Sequence, residues 1–165
     1  MPYFAAILLA ALFVAECVLM IGTGATLPVR VASHFNFEGV ANGYMARSDY
    51  LLLMAGLGFG VPVLLLIVTV LAPCLVPNRL RIPSRDYWIA PERRRETLSA
   101  IVTTGLIMAA VVTAFMTALN LLVVEANTHI PPRMEIAALM TMVALLVVSI
   151  LISQFYLWRR FQVAR

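Results

Sequence analysis

Four runs of apolar residues, Pro2–Gly22, Tyr50–Leu75, Leu98–Val124 and Ile136–Leu157, dominate this 165-residue chain. Each reaches the ~20 residues that an α-helix needs to cross a ~30 Å hydrocarbon core. Backbone groups in lipid find no water to bond, so a spanning segment must satisfy them internally, as a helix. A soluble globule is excluded on composition. Hydrophobic residues make up 62% and charged residues 12% of the chain, with a mean hydropathy of +0.96, which leaves too little polar surface to clothe a core. The expectation is an all-α integral membrane protein, one four-helix domain over residues 1–165, with helices about 2–22, 50–75, 98–124 and 136–157. The first run lacks the basic flank of a cleaved signal peptide, so it counts as a helix of the bundle.

Charge gives the orientation. All twelve basic residues are arginine. The loop 76–97 holds Arg79, Arg81, Arg85, Arg93, Arg94 and Arg95, and the tail holds Arg159, Arg160 and Arg165. The loop 23–49 has only Arg30 and Arg47, and the loop 125–135 only Arg133. Positive charge collects in cytoplasmic loops, so both termini and the middle loop are expected inside and the other two loops outside. The inner arginines then face anionic headgroups, each worth about 1 kcal/mol near the surface. Retention and lipid contact account for Arg93, Arg94 and Arg95, and no nucleic-acid partner is expected. Tyr3, Tyr87, Trp88, Tyr156 and Trp158 at the inner level and Tyr44 and Tyr50 at the outer one suit interfacial belts.

Within the second run, Gly56 and Gly60 are spaced for close approach of a neighbouring helix, and Pro62 predicts a kink near Gly58. In the third run, Gly105, Ala109, Thr113 and Thr117 recur every four residues, with Asn120 above them, as a packing stripe. Cys17 and Cys74 read as small buried residues too far apart to bridge. Glu16 is the only ionisable residue within the runs, and such a group is costly in lipid and a functional candidate by default. Its rise along the helix places it level with Thr113 and Thr117. Two roles are open: a hydrogen-bonded carboxyl that joins helices, or a step in a proton or ion pathway.

The segment LPVRVASHFNFEGVANGYMAR, residues 27–47, is longer than two helices need. Val29, Val31, Phe35 and Phe37 alternate with Arg30, His34, Asn36 and Glu38, the period of a half-buried strand. Gly39 and Asn42-Gly43 supply turn chemistry, so a short extended element or hairpin is expected to cap the bundle outside. His34, Glu38 and His129 share that face, but zinc needs three or four well-placed ligands, and no tight histidine pair exists. No metal and no cofactor are expected. In the inner loop, Pro91 suits the first turn of a helix that continues into the third run, Glu92 complements its dipole, and Tyr87 and Trp88 anchor an interfacial element.

Together the two loops resemble a family. Leu27, Pro28, His34, Phe35, Asn36, Gly39, Gly43 and Tyr44 match the outer-loop pattern of the N-terminal domain of unknown function in SdpI-type membrane proteins, which are named for an immunity protein against a secreted bacterial toxin. Ala32, Asn42 and Arg47 stand where that pattern often has proline, aspartate and lysine. Pro83, Asp86, Tyr87, Trp88, Pro91 and Glu92 resemble the inner loop of its small four-helix members. The resemblance spans residues 5–125, and the further C-terminal helices of full-length immunity proteins have no counterpart here. It implies a multi-pass protein of the bacterial cytoplasmic membrane, with a role in immunity or signalling. The leading expectation is a non-enzymatic sensor or interaction protein. Pro28, His34, Phe35, Asn36, Gly39 and Tyr44 would meet a ligand, peptide or protein partner. Asp86, Tyr87, Trp88, Pro91, Arg93, Arg94 and Arg95 would meet lipid or a cytoplasmic partner. The rival is a small transporter or ion-conducting homo-oligomer that uses Glu16. A membrane metalloenzyme using His34 and His129 is the third reading.

Overall fold

In the computed structural model, which describes residues 2–76 and 79–162, every apolar run becomes a helix. In chain order the elements are α1 (Pro2–Thr26), the strands β1 (Arg30–Phe35) and β2 (Ala41–Ala46), α2 (Arg47–Leu75), the short α3 (Arg85–Trp88), α4 (Pro91–Ala126) and α5 (Ile136–Arg160). Four of these helices are long and apolar enough to cross a membrane, which makes this a multi-pass membrane protein. Arg165 of the basic tail lies outside the described residues.

The helices outrun the apolar segments because their ends are finished by polar groups. Thr23 and Thr26 turn their hydroxyls back onto the Met20 and Thr23 carbonyls, which carries α1 to Thr26. Pro91 opens α4, where its missing N–H costs nothing, and the Arg93 and Arg94 amides both donate to the Ala90 carbonyl.

α2 takes its prolines without breaking. The turns at Gly56–Gly60 and Ile67–Leu71 are widened to π-helix, and each ends two residues before a proline, Pro62 and Pro73. A proline ring collides with the carbonyl one turn back and supplies no N–H. A wider turn before it relieves both demands, and Gly58, where a kink is expected, lies within the first of these π turns.

α4 is the central helix, packed against α1, α2 and α5. Its stripe is the contact face: Ala109, Thr113 and Asn120 are fully buried, and Gly105 lies against Thr69 of α2. Two expectations are corrected. Gly56 and Gly60 have no atom within 4 Å of where a Cβ would sit, whereas Gly58 lies against Glu16. Gly58 is therefore the packing glycine. Cys17 and Cys74 are free and on the outer surfaces of their helices, not buried; Cys17 follows the buried Glu16 by one step of the helix and so points elsewhere. α5 has no buried residue and leans chiefly on α4.

Candidate functional site

At one end of the bundle the segment after α1 folds as the expected antiparallel hairpin. Val31 and Ala32 are fully buried, and Val31 sits in a cluster with Leu27, Tyr50, Leu122 and Met134. Asn127, just past the end of α4, clamps the hairpin. Its Oδ1 accepts from the Ala32 amide at 2.8 Å, while Nδ2 donates to the Ala32 carbonyl at 3.0 Å and the Val123 carbonyl at 2.9 Å. One side chain thus satisfies both backbone groups of a buried strand residue, which would otherwise be costly orphans.

The α4–α5 connection extends this small platform. Val40 bridges Arg133, the Met134 amide donates to the Gly39 carbonyl at 2.8 Å, and the Ala41 amide donates to the Pro132 carbonyl at 3.3 Å. Gly39 permits the junction. Its φ is +79°, and a Cβ there would run into the Met134 carbonyl, so the position needs glycine on both counts.

The strand alternation holds only in part. Val31 is buried and Phe35 half-buried, but Val29 and Phe37 are exposed, by 77% and 94%. Val29 precedes the strand, Phe37 belongs to the turn, and a register irregularity between Ala32 and Phe35 interrupts the period. The turn lies at Asn36–Gly39: Asn36 Oδ1 accepts from the Glu38 and Val40 amides at 3.0 and 2.9 Å. Asn42 and Gly43, expected to help make the turn, lie inside β2. Gly43 is opposite His34, and a Cβ on it would come 2.9 Å from the His34 Cβ.

The candidate recognition residues therefore divide. Phe35, Asn36 and Gly39 are used to build the platform. Pro28, His34 and Tyr44 are exposed on it, the His34 Nδ1 lying 3.0 Å from the Ser33 hydroxyl. A cavity of about 410 Å³ opens in the α4–α5 connection, lined in part by Glu125, His129, Arg133, Met134 and Glu135. Their convergence depends on the path of a loop, which no local pattern in the sequence encodes. Among the described residues no group of three or more His, Cys, Asp or Glu is placed to hold a metal ion. His129 lines the cavity and His34 does not.

Between the helices lies a second polar constellation. Glu16 is fully buried, and its Oε2 is hydrogen-bonded to the Thr117 hydroxyl. That hydroxyl also lies 3.0 Å from the Thr113 carbonyl. A threonine hydroxyl has one hydrogen, which the Glu16 carboxyl and the Thr113 carbonyl share here. Farther along, the Tyr50 hydroxyl donates to Asn120 Oδ1 at 2.8 Å. Glu16 Oε1 and Asn120 Nδ2 make no hydrogen bond within the protein. The expectation that Glu16 stands level with Thr113 and Thr117 is met. Tyr50 joins as a partner that its interfacial assignment did not suggest.

At the opposite end, α3 and the start of α4 carry the arginines. Arg93 stacks 3.9 Å over the Tyr87 ring, Asp86 pairs with Arg85 at 2.9 Å, and Arg94 and Arg95 are exposed. Trp88 turns inward instead, its Nε1 donating to the Phe161 carbonyl at 2.9 Å. No family model, curated protein or solved structure matches this chain.

Proposed function

We propose that this is a non-enzymatic membrane protein that recognises a ligand, peptide or protein partner through the hairpin platform. The observation that carries the reading is the exposure of Phe37 (94%) and Ile130 (99%) on two loops that hydrogen-bond to one another. A bridged platform keeps large apolar side chains exposed at a cost, and such patches mark interaction surfaces. His34 and Tyr44 on the hairpin and the charged cavity of the α4–α5 connection supply polar selectivity. By the distribution of arginine the platform faces outward from a bacterial cytoplasmic membrane, with both termini inside. The SdpI-type resemblance of residues 27–47 points the same way, towards an immunity-like or signalling role.

Transport through Glu16 is the second reading. It is the weaker one, because Glu16 is fully buried among α1, α2 and α4 and lines neither of the cavities described here. The test places a photoreactive residue at position 130 in intact membranes. A defined adduct is expected, lost in His34→Ala and Phe37→Ser while insertion stays normal. Cross-linking unchanged by either substitution rejects the recognition reading. Ion flux in liposomes that disappears with Glu16→Gln would put the transporter in its place.

A further inference from the structure

α5 is pinned at its arginine end and leaves a groove along its length. The Trp88 indole donates to the Phe161 carbonyl at 2.9 Å, and the two rings meet edge-on at 5.5 Å. The Thr97 hydroxyl holds the Trp88 carbonyl at 2.8 Å, and Arg160 Nη2 reaches Glu96 at 2.7 Å. Phe161 is fully buried by this junction. Between α4 and α5 lies a groove of about 1070 Å³, kept open by these ties.

The lining of the groove changes character in order along α4. Glu92, Arg95 and Glu96 form the mouth, Ser99 and Thr103 follow, and Ile107 and Val111 lie deepest. At ~1.5 Å per residue, the hydroxyls begin ~6 Å below Arg95 and the apolar floor ~18 Å below it. Across the groove α5 sets Arg160 at the mouth and Ser153 beneath it, with a further hydroxyl, Ser149, one turn deeper. Charged head, hydrogen-bonding middle and hydrocarbon tail is the sequence of groups in a glycerophospholipid.

The mouth is also charge-balanced. Glu96 is engaged by Arg160 through Nη2, and the Arg160 side chain stays 32% exposed at the mouth. Among the described residues Arg95 and Glu92 form no ion pair. Arg95 and the exposed part of Arg160 are thus left for a phosphate, and one carboxylate is left for a cation. An anionic head without an ammonium would leave Glu92 unpaired beside it.

We infer that the groove binds a phospholipid with a phosphoethanolamine head. Its phosphate lies between Arg95 and the exposed part of Arg160, its ammonium at Glu92, and one acyl chain along Ile107 and Val111. The full-length protein, purified in mild detergent, is titrated with phosphatidylethanolamine or phosphatidylglycerol and read by native mass spectrometry. One retained phosphatidylethanolamine per chain is expected. Arg95→Ala should weaken it about tenfold, the loss of a charge-assisted contact. Ile107→Trp, which fills the floor and leaves the mouth intact, should abolish binding. Glu92→Gln should shift preference towards phosphatidylglycerol without weakening the fold, and Arg94→Ala, outside the groove, should change nothing. Absence of any retained lipid, equal or better retention of phosphatidylglycerol by the unsubstituted protein, or indifference to both Arg95→Ala and Ile107→Trp overturns the assignment.

Discussion

Gly58 stands directly against the Glu16 carboxyl: a Cβ on Gly58 would lie 2.9 Å from Oε1. The missing side chain of one helix is the room that the polar side chain of another occupies. Overpacking such a contact costs about 1–3 kcal/mol, so Gly58→Val should lower the thermal midpoint in detergent. Gly56→Ala and Gly60→Ala face open space and should stay within about 0.5 kcal/mol of the unsubstituted protein. Equal effects at all three positions would refute the assignment of Gly58 as the packing glycine.

Glu16→Gln should assemble normally, because an amide at that position can donate to Thr117 while Thr117 keeps its bond to the Thr113 carbonyl. Glu16→Lys should not assemble, since no carboxylate is described within its reach among the polar partners at that site. A double-mutant cycle of Glu16→Leu, which removes the polar group, with Thr117→Val should show a coupling of about 0.6 to 1.7 kcal/mol, the range of hydrogen bonds between membrane helices. Zero coupling would mean that the contact contributes nothing to stability.

Asn127→Ala removes three hydrogen bonds and leaves the buried Ala32 peptide without partners. Leaving such groups unsatisfied costs about 1–3 kcal/mol. Hydrogen exchange should quicken across Arg30–Phe35 while amides in the middle of α4 keep their protection.

Gly39→Ala places a side chain at a φ of +79° and against the Met134 carbonyl. The backbone term alone is about 1–2 kcal/mol. The hairpin tip should separate from residues 132–134, seen as faster proteolysis in both loops together. Cleavage confined to one loop would show that the two are not coupled.

Trp88→Phe keeps a ring against Phe161 but loses the indole hydrogen bond, worth about 1 kcal/mol. Trypsin should then cut sooner after Arg159 or Arg160 while the rest of the bundle stays intact. An unchanged cleavage rate would show that the indole bond does not hold the end of α5.

Much of the candidate site was legible in sequence, though not its geometry. Alternation in residues 29–38 announced a strand, and the strand is there. It did not locate the turn, because Asn36 closes it through its own side chain while Asn42 and Gly43 enter β2. Small residues in α2 announced close packing but not which glycine would make it. That depends on how the helix is rotated, and each π turn adds a residue to the turn and so rotates the face that follows. Asn127 carried no local signal at all, since its partner Ala32 is 95 positions away in the chain.

What the sequence determined by itself is what lipid demands of any chain: four segments long and apolar enough to span, backbone satisfied inside helices, and arginines gathered at one end. Those properties are local, because each residue meets the same solvent wherever its neighbours lie. The pairing of Glu16 with Thr117 under Gly58, the clamp of Asn127 on Ala32 and the groove kept open by Trp88 and Phe161 were decided only by tertiary structure. Each joins residues from different elements whose relative rotation and depth no periodicity encodes.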